Sequence, residues 1–236
     1  MNLNKSKIMS LILSGALSMV CCNANILVTN AVTNEDQIRA NLEAQKRDLS
    51  CTISELKEDL QNLRSALDYQ LPEEDPENSL IKGKTRIAEE WAGKPNEAEG
   101  RELEEASYKY YAIFNQLKDN FEWYNVHFDD IRESMEALRK LNLNVEQNTL
   151  TNNLERLQSI CKHQKALNAT FLDVSLAISN AEDRFLTHFK AFKQGSSSDK
   201  CHSKIVKIER GIELIPTLID EMGSLTQELE TLCEEL

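Results

Sequence analysis

Glycine and proline are scarce in this chain: seven and four among 236 residues. Runs of β-branched residues of strand length are also missing, and aromatics make up only 6%. These shortages exclude a turn-rich all-β fold and a collagen-like or Pro-rich low-complexity chain. Basic charge is scarce relative to acid, with 27 Lys and Arg against 39 Asp and Glu, a formal charge of −12. Nucleic-acid binding needs concentrated Lys and Arg on the phosphates, so a nucleic-acid partner is not expected. Binding to an anionic membrane surface is disfavoured for the same reason.

Catalytic motifs are missing as well. The sequence has no G-x-S-x-G, no phosphate loop and no Gly-rich nucleotide fingerprint. A di-iron bundle needs Glu three residues before His on two helices. The residues at that spacing before His127, His163, His188 and His202 are Tyr124, Ile160, Phe185 and Asp199. The pairs Cys161/His163 and Cys201/His202 have zinc-ligating chemistry, but the helical layout below separates them by roughly 48 Å. Paired carboxylates such as Asp129–Asp130 and Glu89–Glu90 are ordinary on solvated helices. The sequence therefore predicts no enzyme activity, no cofactor and no metal. The "NAT" at 168–170 matches a glycosylation acceptor on a helix surface.

What is present begins with a leader. Lys5 and Lys7 precede an apolar core at 8–20, the length of a secretory signal and short of the ~20 residues a membrane span needs. Cleavage after Ala24 puts Cys22 and Ala24 at the small-residue positions, which predicts residues 1–24 as a signal peptide and 25–34 as an N-terminal extension. Lipid attachment at Cys21 or Cys22 is the alternative, and a lipid anchor is the one membrane contact expected. Removing residues 1–24 deletes Lys5 and Lys7 and nothing acidic, which takes the charge from −12 to −14. The chain is expected to be exported: secreted, periplasmic or at the cell surface.

Beyond the leader, Leu, Glu, Lys, Gln and Asn dominate, a helical composition. Residues 35–71 form the first helix. Leu49, Ile53, Leu56, Leu60, Leu63 and Leu67 fall at alternating steps of four and three, the repeat of a coiled-coil seam. Residues 72–100 are an acidic linker with three prolines and three glycines. A short helical turn is expected there at "TRIAEEW", with Trp91 docking on the bundle. Three further helices follow at about 101–141, 146–192 and 202–235, each with an apolar stripe. A kink is expected near Pro216 in the last. Short connections make these three antiparallel neighbours, and residues 101–236 form a core that packs with the first helix. The fold class is all-α: an elongated, antiparallel, coiled-coil-like helical bundle of about four long helices.

Four cysteines follow the leader: Cys51, Cys161, Cys201 and Cys233. An even number in an exported chain suggests two disulfides. Counting helical rise puts Cys161 and Cys233 at one level, so that pair is expected, with Cys51 and Cys201 paired by exclusion. The spacing leaves the direction of the first helix open.

Tyr108, Tyr111, Phe114 and Trp123 lie off the main seam of the second helix. They either widen its buried stripe or form an exposed partner-binding face, since Tyr and Trp are favoured at interface hot spots. Together these features predict a non-enzymatic helical-bundle protein that binds a protein partner, as a surface adhesin or host-interaction factor of a microbe. The alternative is a self-assembling coiled-coil protein of the cell envelope, motivated by the regular heptads at 49–67.

Overall fold

A computed structural model of the chain describes residues 34–74, 82–141 and 147–235. The leader, its Cys21 and Cys22, and most of the 25–34 extension lie outside the described residues. The chain divides into two compact units, Met1–Gln37 and Ile38–Leu236. The packing below is that of the second.

Every regular element among the described residues is a helix. They are α1 (Asn34–Leu67), α2 (Lys84–Trp91), α3 (Glu97–Leu141), α4 (Gln147–Phe192), α5 (Asp199–Ile212) and α6 (Ile215–Glu235). The protein is an all-helical bundle. None of these helices is long and apolar enough to cross a membrane.

Cross-helix pairs fix the directions. Lys57–Glu230 at 2.6 Å and Arg64–Asp220 at 3.2 Å make α1 antiparallel to α6. Tyr110 donates to Glu209, and Tyr124 Oη donates to the Met222 carbonyl at 3.1 Å, so α3 runs parallel to α5 and α6. α4 opposes them: Phe171 stacks on Phe121 with centroids 3.6 Å apart, Gln164 donates to Asn125 at 2.8 Å, and Arg156 pairs with Glu235. The open direction of the first helix is thereby settled.

The heptad leucines of α1 are consumed inside one chain. Leu49, Ile53, Leu56, Leu60 and Leu63 are each no more than 5% exposed, packed with Tyr124, Ile131, Met222 and Leu229. Each such burial contributes about 1.5–3 kcal/mol. A second cluster gathers Leu71, Ile87, Trp91, Leu103, Phe185, Phe189, Phe192, Cys201 and Ile205.

The described parts of the 72–100 stretch, 72–74 and 82–100, are more ordered than their composition suggests. Lys84 N–H donates to the Pro72 carbonyl and Thr85 N–H to that of Glu73, both at 2.9 Å. They tie the start of α2 to the chain leaving α1. α2 carries Trp91, 4% exposed, onto Phe189 and Phe192 with centroids 6.1 and 5.9 Å away, as the sequence predicts. α3 begins at Glu97 instead of 101, after a turn in which Gly93 N–H donates to Glu97 Oε2 at 2.9 Å. Gly100 therefore lies inside a helix. A Cβ there would sit 2.4 Å from the Trp91 ring.

The expected last helix is two helices. The break falls at Glu213–Leu214, just ahead of Pro216, which occupies the first turn of α6 where its missing N–H costs nothing.

The expected disulfides need correction: Cys51, Cys161, Cys201 and Cys233 are free. Arg156–Glu235 places Cys161 and Cys233 near one level, but they face different grooves. Cys161 opens beside Arg132, Glu136 and Gln158, whereas Cys233 opens beside Lys46, Ser50 and Ser54. Cys51 is next to Ser50, at the Cys233 end of the bundle. Cys201 lies 32 residues before Cys233, about 48 Å along the helices, and is fully buried in the second cluster. Residue counting gave level but not the direction in which each thiol points.

Candidate functional site

The off-seam aromatics of α3 do not share a face. Phe114 is only 3% exposed, with Lys118 Nζ 5.7 Å above its ring, so it is a core residue and not a partner contact. Trp123 is 58% exposed. It lies twelve residues beyond Tyr111, about 18 Å along α3 and about 120° around it. Tyr108 and Tyr111 remain together, half-buried, along a cleft between α3 and α4.

That cleft encloses about 470 Å³. Tyr108, Tyr111 and Ser107 form the α3 wall. Glu182, Leu186 and Lys190 form the α4 wall, four residues apart and so on one helical face. Leu186 is 46% exposed, a large apolar side chain at the cleft rim.

A buried carboxylate holds the end of the cleft. Glu104 is 4% exposed and accepts from Trp91 Nε1 at 2.6 Å, Lys82 Nζ at 3.1 Å and Lys193 Nζ at 3.3 Å. Burial works to raise its pKa. The Trp91 hydrogen bond and the charges of Lys193 and Lys82 outweigh burial and hold the carboxyl below its ordinary range. Both lysines are thereby fixed over aromatic faces: Lys82 lies 5.8 Å from the Tyr108 centroid and Lys193 4.6 Å from that of Phe189. Burial and the neighbouring Asp183 raise the Glu182 carboxyl, with Lys118 partly offsetting them. The cleft thus offers aromatic faces, one exposed leucine and fixed ammonium groups. That combination suits an amphipathic peptide surface.

A second polar group surrounds His127 of α3. Its Nδ1 lies 2.6 Å from Asp59 Oδ2 and its Nε2 3.9 Å from Glu55, both on α1, with Trp123 stacked at 6.1 Å. Asp59 is 7% exposed, and burial raises its carboxyl while the His127 hydrogen bond works against that. This pair ties α1 to α3. His163 faces Glu221 at 3.5 Å and His202 faces Glu99 at 3.1 Å, so these histidines each serve a cross-helix contact. Among the described residues no group of three or more His, Cys, Asp or Glu is placed to hold a metal ion.

Sequence reasoning found Tyr108, Tyr111 and Trp123 as residues of interest but missed Leu186, Glu104 and the two lysines. Leu186 follows the seam residue Phe185 by one position, which is a usable signal. Nothing local announces that Lys82, Trp91 and Lys193 converge on one carboxylate.

Compared with known proteins, the chain matches no family model, no curated protein and no solved structure. The functional reading rests on its own residues.

Proposed function

We propose that the chain is an exported, non-enzymatic helical-bundle protein that binds a protein partner, in the role of a surface adhesin or host-interaction factor of a microbe. The α3–α4 cleft is the contact surface. The observation that carries this reading is the placing of Tyr108, Tyr111 and half-exposed Leu186 around one cleft whose end is fixed by the Lys82–Glu104–Lys193 network. A contact surface with little side-chain freedom left to lose binds at lower entropic cost.

Affinity capture from the protein's own surroundings tests it, comparing the full chain with a Tyr111→Ala/Leu186→Asp variant of unchanged helicity. The reading expects a specific protein held by the first and lost by the second. Identical captured sets, or no specific protein in either, count against it.

Self-assembly is the second reading. The heptads at 49–67 no longer favour it, because that seam is buried within the chain. It keeps one observation: Leu172 and Leu176 of α4 are 65% and 62% exposed, one turn apart and turned away from the core. Light scattering across a concentration series separates the two readings, since a constant monomer mass removes self-assembly.

A further inference from the structure

The other flank of α4 carries a cleft of opposite electrical character to the molecule as a whole. It lies between α4 and α5 and encloses about 470 Å³. Arg184 stands on the α4 side, and Lys204, Lys207 and Arg210 line the α5 side at three-residue steps. Among the described residues, no acidic and no aromatic residue lines it. None of the four cations forms an ion pair with another described residue. In a chain of formal charge −12, four unpaired cations around one cleft are a local inversion of sign.

The inversion has a structural origin. The nearby acids are engaged elsewhere: Glu209 of α5 accepts from Tyr110 of α3, and Glu213, just beyond α5, acts on that same phenol. Asp199 is engaged by the Ser197 hydroxyl at 2.8 Å. The two helices also meet closely. Gly211 seats the Ile178 side chain, where a Cβ would come within 2.5 Å of Cγ1. Arg184 therefore faces the α5 row of cations across a floor of Ala177, Ala181 and Gly211. Exposed Leu214 closes one end, and Asn180 supplies an amide.

We propose that this cleft binds an extended acidic peptide segment of a protein partner. Asp and Glu carboxylates would pair bidentately with the guanidinium groups of Arg184 and Arg210 and through single charge-assisted contacts with the ammonium groups of Lys204 and Lys207. The small-residue floor lets a main chain approach. Asn180 can both donate to and accept from its amides, and Leu214 meets an apolar side chain. Single-stranded nucleic acid fits less well, because its binding sites stack bases on aromatic side chains and none is present. A long polyanion would also overrun the cleft onto a surface of net negative charge. At contact distance the local cations dominate that repulsion, since screening at physiological salt acts over about 8 Å. Arg184 and Glu182 point to roughly opposite sides of α4, so this site stands whether or not the aromatic cleft binds a partner.

Fluorescence anisotropy tests it, using the full chain and a fluorescein-labelled octapeptide with Glu at alternate positions. The inference expects saturable binding that weakens as salt rises. It expects Arg184→Glu/Arg210→Glu to reduce affinity by about tenfold or more, and Lys204→Gln/Lys207→Gln, a milder change at exposed or half-exposed sites, to reduce it in the same direction. Tyr111→Ala leaves binding unchanged, which separates this site from the aromatic cleft. The inference is overturned by absence of saturable binding at low salt or by affinities indifferent to both double substitutions. Tighter binding of a sulfated hexasaccharide or an oligothymidylate of equal charge also overturns it.

Discussion

At residue 100 a side chain is missing because the Trp91 indole occupies its place. Gly→Ala in a helix interior ordinarily gains up to ~1 kcal/mol. Here the added Cβ would lie 2.4 Å from the ring, an overlap that neither α2 nor α3 can relieve without moving. Overpacking of this kind costs about 1–3 kcal/mol, so Gly100→Ala is expected to lower the melting temperature and shift the emission of Trp91 to the red. An unchanged or raised melting temperature would show that Trp91 is not seated there. Glu104 sets the pH behaviour of the same region. Its carboxyl is held below the ordinary value of 4.5, so its stabilisation is present above that pH. It is lost as pH falls through the lower, folded-state value. In a Trp123→Phe background, Trp91 emission should report an acid transition below pH 4.5 that Glu104→Gln removes. The thiols divide by burial. Cys51 is exposed and should label rapidly with maleimide. Cys201 is fully buried, and burial with the carboxylates of Glu230 and Glu234 pushes Cys233 up to about 12, so both should resist labelling at neutral pH. Reduction should leave the intact mass of the described cysteines unchanged; a gain of hydrogens would restore the disulfides expected from their even number.

Among the elements, the break between α5 and α6 gives a prediction of definite sign. A proline inside a continuous helix costs about 3 kcal/mol, so its replacement by Ala should stabilise. In the first turn of α6 the ring instead pre-sets the backbone, and Pro216→Ala should destabilise by about 0.4–1 kcal/mol in chemical denaturation. The same contrast shows what is legible in the sequence. The seams of α1, α3, α4 and α6 could be read because burial repeats with helical period. The docking of α2 through Trp91 could be read because an isolated tryptophan beside a short amphipathic turn needs cover. The direction of α1 could not, since Lys57–Glu230 and Arg64–Asp220 join residues more than 150 apart with no local signature. The cysteine pairing failed for a related reason. Compartment and axial level constrain thiols, but the rotation of each helix decides which groove Cys161 and Cys233 enter. Of the candidate site, the tyrosines could be read as off-seam aromatics. Phe114 could not be separated from them, because the neighbour that buries it belongs to the tertiary fold.

For the whole molecule, the electrostatic picture is an acidic bundle with one flank of α4 aromatic and the other basic. Net charge alone points to a basic partner. The α4–α5 cleft shows that a local field can oppose the average. The central claim is that the α3–α4 cleft is where a protein partner docks. The most direct measurement places a photo-crosslinking amino acid at Leu186, with a second protein carrying it at Leu172 as the exposed control, in the protein's own surroundings. The account predicts one discrete adduct from position 186 that is absent from position 172. Adducts of the same size and yield from both positions, or an adduct from position 172 alone, would contradict it.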